Sequence, residues 1–116
     1  MKTVSQLAIE FLVYLDSVRG FSSNSVVAYK NNLSHLEELV GSDKNIEDIV
    51  SNDLRLCIAK LSEEKKSSAS INQFIAAVRA FFSYCRKFGY IEKNPALDLK
   101  SVKIPKHLPR FLTSAE

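Results

Sequence analysis

The chain is predicted to be all-α, a bundle of four main helices followed by a short C-terminal helix. Glycine and proline, the residues that most disfavour helix, occur only three times each in 116 residues. Apolar side chains recur at helical spacing through four long stretches. Strand signals are weak, because no alternating run lies between turn signals. The length is enough for one domain with a proper core.

The first helix is expected from Thr3 to Arg19. Thr3 and Gln6 have capping-box spacing. Val4, Leu7, Ala8, Phe11, Leu15 and Val18 form its inward stripe, and Gly20 is placed to end it. Ser22 or Ser23 caps the second helix, with Phe21 stapling onto Val26 if Ser22 is the cap. That helix runs to about Val40, before Gly41, and turns Val26, Tyr29, Leu33, Leu36 and Val40 inward. Residues 42–51 are polar with one apolar turn, Ile46 to Ile49. The third helix is expected from Asn52 to about Lys65, with Leu54, Ile58 and Leu61 inside. The fourth spans Ser67 to Gly89, on a stripe of Ile71, Phe74, Ile75, Val78, Phe81, Phe82 and Cys85. Asn94 then caps a short helix from Pro95 to Leu99. One core should unite Phe11, Leu15, Tyr29, Leu33, Leu36, Ile58, Leu61, Phe74, Val78 and Phe81.

The faces opposite these stripes carry the functional signal. The fourth stretch contains no acid, and its outer face reads Gln73, Ala76, Ala77, Ala80, Ser83 and Lys87. Solvated faces normally mix charge signs. Two readings stand side by side: a plain Ala-rich surface, or a face that admits a negatively charged partner close to the backbone. The second helix repeats the pattern. No acid lies between Asp16 and Glu37, and the outer side shows Asn24, Val27, Ala28, Asn31 and His35. The run Ser22, Ser23, Asn24, Ser25 offers hydroxyls and N–H groups that suit a phosphate. Ordinary capping explains one or two of these four residues.

Net charge is +3, but it is divided unevenly. Residues 1–64 hold six Lys/Arg and ten Asp/Glu, a balance of −4; residues 65–116 hold ten and three, a balance of +7. A basic half joined to an acidic half points to nucleic acid or another polyanion. Cys57 and Cys85 lie on apolar stripes and read as buried thiols. His35 and His107 have no ligand-spaced companions, so no metal or cofactor is expected. No apolar run is long enough to span a membrane. The N-terminal stretch is interrupted by Glu10 and lacks a cleavage site, so it reads as an amphipathic helix of a cytoplasmic protein. After Leu99, the segment from Lys100 to Arg110 carries Lys100, Lys103, Lys106 and Arg110, two prolines and no acid; it reads as a basic linker. Thr113 and Glu116 then form a further capping box, the expected start of a second domain.

In this order the features resemble the N-terminal core-binding domain of tyrosine recombinases, the phage-integrase family, of the bacterial Xer type. The resemblance rests on FLxYL (Phe11 to Leu15), SxNSxxAYxxNL (Ser22 to Leu33), SINxxIAAVRAFFxYC (Ser70 to Cys85) and the exit GYIxxNPAxxLKxxKxPKxLPRFLTxxE (Gly89 to Glu116). It implies a SAM-like bundle over residues 1–99, a linker over 100–111, and the start of a catalytic domain at 112–116. It also implies double-stranded DNA as partner, at a recombination half-site, together with the protein's own catalytic domain and other recombinase subunits. The second and fourth helices would lie on the major groove. Carried over position by position, the DNA face comprises Ser23, Asn24, Ser25, Val27, Ala28 and Asn31, then Ser70, Gln73 and Ala77, with Arg79 and Lys87 flanking. Lys100, Lys103, Lys106 and Arg110 would add phosphate contacts. Val27 and Ala69 stand where better-known members carry lysine, which shifts weight to Gln73, Asn31 and shape readout. The catalytic tyrosine and its basic partners would lie downstream, so this stretch is expected to bind and not to cleave. The competing reading is a helical protein–protein module without DNA binding, since fold does not fix function.

Overall fold

The computed structural model describes residues 2–97 and Leu99. Four α-helices, α1 (Val4–Ser17), α2 (Ser23–Val40), α3 (Ser51–Glu63) and α4 (Ser68–Lys87), follow one another, with a 3₁₀ turn at Ile46–Asp48. An isolated bridge pairs Thr3 with Asn45; no strand occurs among the described residues.

The start of α1 shows how completely a helix end is satisfied here. Thr3 and Gln6 form the expected capping box. The two N–H groups between them do not wait for water. Val4 N–H donates to Lys44 O at 3.0 Å and Ser5 N–H to Ser42 O at 3.2 Å. The loop after α2 therefore closes the free donors of α1, and Ile46 N–H returns a bond to Lys2 O. Helix α4 ends in a Schellman turn. Tyr90 N–H reaches Cys85 O, Gly89 N–H reaches Arg86 O, and Gly89 supplies the required positive φ of 81°. Helix α3 ends in the same way with Lys65 in the glycine position, at φ 61°.

The core joins all four helices. Phe74, Phe81, Phe82, Leu7, Leu33, Leu36 and Leu54 are among its fully buried side chains. Phe11 is the aromatic hinge between elements, with its ring edge-on to Tyr29 of α2 and to Phe81 of α4, both at 5.7 Å. Tyr29 and Ile58, expected inside, are only partly buried at the margin. Val18 departs from expectation altogether, at 69% exposed. Val18 is the C-cap of α1, just past the helix end at Ser17.

The short helix expected over Pro95 to Leu99 is replaced by turns. Leu97 N–H bonds to Asn94 O and Leu99 N–H to Ala96 O, both three-residue spacings. A helix would need the Pro95 carbonyl to accept from Leu99. Leu99 N–H goes to Ala96 O, and the Pro95 carbonyl accepts the Ser51 hydroxyl at 2.7 Å. Asn94 pins the same segment to α4, donating to Ser83 Oγ at 3.0 Å while its Oδ1 caps Ala96 N–H.

Candidate nucleic-acid interface

Helices α2 and α4 begin with the same device. Ser22 Oγ accepts from Ser25 N–H and donates to Ser25 Oγ; Ser67 and Ser70 repeat both bonds. The cap of α4 is thus Ser67, and Ser70 is already bonded to it. Gln73 therefore has no part in the cap. It is exposed and makes no side-chain hydrogen bond among the described residues.

The two helices pack side by side in opposite directions, leaving a groove between them. One hollow is lined by Ala28, Asn31, Asn32 and His35 of α2, with Lys66, Ser70 and Gln73 opposite. The next shares Ala28, Asn32 and Gln73, and adds Ser25 and Ala76. A third continues past Tyr29 to Arg19, Ala80, Ser83 and Lys87. The middle of the groove is made of amides, hydroxyls and methyl groups. Lys66 stands at one end, beside the imidazole of His35, and Arg19 with Lys87 at the other. No carboxylate lines any of these three hollows. The hollows on other sides of the bundle differ: one includes Glu38 and Asp53, another Glu47 and Glu92.

The first two hollows bring together six of the residues named from sequence: Ser25, Ala28, Asn31, Ser70, Gln73 and Ala77. Ala77 needs correction as a member of an exposed face. It is 2% exposed and forms the floor of the groove, where α4 meets α2. Ser23, Asn24 and Val27 are exposed on α2 but do not line the hollows. Arg79 is exposed on the flank, beside the exit segment, and its carbonyl accepts from Asn94. Lys87 stands at the far end, its ammonium 5.7 Å from the Phe88 ring centre. Lys100, Lys103, Lys106 and Arg110, and the expected domain start at 112–116, lie outside the described residues. Asn32, His35, Lys66, Ala76 and Arg19 also line the groove, outside the DNA face expected from sequence. The i, i+4 pairing of Ala28 with Asn32 was the available signal for the first of these.

The thiols are inert. Burial pushes Cys57 up to about 11 and Cys85 up to about 12, so neither is a thiolate near neutrality. Among the described residues no group of three or more His, Cys, Asp or Glu is arranged to hold a metal, and no helix is long and apolar enough to cross a membrane.

Comparison with known proteins agrees with this architecture. Residues 8–88 match the model of the phage integrase N-terminal SAM-like domain, and the chain belongs to that family. It is 34% identical over 103 residues to the tyrosine recombinase XerC of Treponema denticola, covering 88% of this chain and 34% of that protein. It is 35% identical over 104 residues to XerC of Thermodesulfovibrio yellowstonii, covering 89% and 34%. The chain thus spans about a third of the length of these relatives. In fold it is similar to a lambda integrase (75-356) dimer bound to a COC' core site. The TM-score is 0.80 at 18% identity, over 90% of this chain and 37% of that one.

Proposed function

We propose that this chain is the N-terminal clamp domain of a site-specific tyrosine recombinase and binds double-stranded DNA through the α2–α4 groove. The observation that carries the reading is the groove itself: open, free of carboxylates, small-walled in the middle and cationic at its ends. A phosphate backbone on either side would meet Lys66 and His35 at one end and Arg19 and Lys87 at the other. Between them Gln73 and Asn31 present amides to base edges, and Ala28 and Ala76 allow the helices to sit deep. The lambda integrase to which the fold is similar is a dimer on a core site. Here the partners are correspondingly a recombination half-site, other recombinase subunits and a catalytic domain joined through residues 100–111. The place of action is the cytoplasm.

Cleavage belongs to that second domain. The tyrosines of this one serve packing: Tyr29 sets its ring against Phe11 and Phe21, and Tyr14 against Tyr84. Burial raises Tyr84, and the hydrogen bond to Glu10 raises Tyr90, the opposite of what a nucleophilic phenol requires.

The test is selection from a randomised duplex pool by the 116-residue chain, followed by binding at several salt concentrations. The expected result is an enriched sequence, bound with an affinity that falls steeply with salt. A chain that shows neither enrichment nor salt-dependent binding would be a protein–protein module instead.

A further inference from the structure

Asn32 sits where the two central hollows of the groove meet, half-buried and opposite Gln73. Its Nδ2 donates to the backbone carbonyl of Ala28 at 2.9 Å. A carbonyl can only accept, so the chemistry fixes which end of the amide faces the helix. The other end, Oδ1, accepts no hydrogen bond among the described residues. The side chain is therefore an amide with its rotation already arrested. It offers the groove an acceptor at Oδ1, and its second Nδ2–H is held in one direction by the same bond. Gln73 lacks such a tether and can turn either way.

We infer that Asn32 is a specificity-determining residue, whose Oδ1 accepts from an exocyclic amino group on a base edge in the major groove. This rests on the DNA-binding reading of the groove. The group read is the N6 amine of adenine or the N4 amine of cytosine. Guanine O6 and thymine O4 are acceptors and would face Oδ1 acceptor to acceptor, leaving both atoms without a proton. Because the rotamer is held before DNA arrives, little ordering cost remains to be met on binding. Ala28, Ala76 and Ala77 leave the space beside it clear.

The test uses the duplex selected by the wild-type chain, its single-base variants, and two deamino analogues. These analogues are purine in place of adenine and 2-pyrimidinone in place of cytosine. At one position the wild type should prefer an amino-bearing base. The matching analogue there should weaken wild-type binding roughly three- to tenfold, the worth of one net hydrogen bond. The same analogue should leave Asn32→Ala unaffected and still weaken Gln73→Ala. Whichever analogue acts tells adenine from cytosine. A thermal melt accompanies each variant; Ala favours helix, so Asn32→Ala should fold. If every analogue weakens Asn32→Ala as much as the wild type, Asn32 does not read the amine. Uniform loss on all duplexes would likewise reduce it to a structural role. If the wild type binds no duplex in a salt-dependent way, the DNA-binding reading itself fails, and this inference with it.

Discussion

Tyr90 donates its hydroxyl to Glu10 Oε1 at 2.9 Å, tying the exit of α4 to the first helix across 80 residues of sequence. Lys2 completes the arrangement, with Nζ 2.8 Å from Glu10 Oε2 and 5.8 Å from the Tyr90 ring centre. One carboxylate thus joins the start of the chain to the segment that leads out of the domain.

The network makes stability depend on pH in two places. The Lys2 hydrogen bond, with help from Tyr90, holds the Glu10 carboxyl below the usual carboxylate range. Its contribution is present above the unfolded carboxylate value and is lost as pH falls through the lower folded one. Lys2 is raised, chiefly by its hydrogen bond to Glu10, and Tyr90 is raised by Glu10 as well. Their contributions hold below the unfolded values and disappear as pH rises through the folded ones. Chemical denaturation across pH should show a plateau in the neutral range that declines at both ends. Glu10→Gln should flatten both declines; an unaltered profile would mean that the network adds nothing.

Ala77 separates floor from wall in the groove. At 2% exposure it has no room to grow, so Ala77→Leu should destabilise the fold by roughly 1–3 kcal/mol through overpacking. Ala76 is exposed beside it, and Ala76→Leu should be nearly neutral in the same melt. Equal effects would place both alanines on one face.

Lys65 occupies a backbone conformation that favours glycine, at φ 61°, at the end of α3. An L-residue there costs about 1–2 kcal/mol, while glycine loses some of that advantage to its freer unfolded chain. Lys65→Gly should therefore stabilise the domain by roughly 0.5–1 kcal/mol. A lower melting temperature would show that the lysine side chain holds the turn for another reason.

Most of the fold was legible because the local signals agreed with one another. The Thr3 capping box, the Ser22 cap, the apolar stripes apart from Val18, Tyr29 and Ile58, and the glycines at the helix ends stand where spacing put them. What failed depended on contacts distant in sequence. The turns at Pro95 are tied to Ser51, 44 residues away, through the proline carbonyl. Ala77 lies at the edge of its stripe, and a methyl group gives no hint of side. Its burial follows from where α2 crosses α4. The site was partly legible for a similar reason. Missing carboxylates singled out α2 and α4, which line one groove, and only their packing shows that Asn32, His35 and Lys66 share it.

Placing a negative charge in the groove tests the central claim most directly. Ala76 is exposed at its middle, so Ala76→Glu should fold normally yet repel phosphate and block close approach. Leu56, 61% exposed on α3 beside Glu38 and Asp53, provides the control Leu56→Glu. The measurement is equilibrium binding of both variants to the duplex selected by the wild type, at one moderate salt concentration. The expected result is a loss of about tenfold or more for Ala76→Glu, with Leu56→Glu within about twofold of wild type. Equal binding by the two variants, or a larger loss from Leu56→Glu, would contradict an α2–α4 interface with DNA.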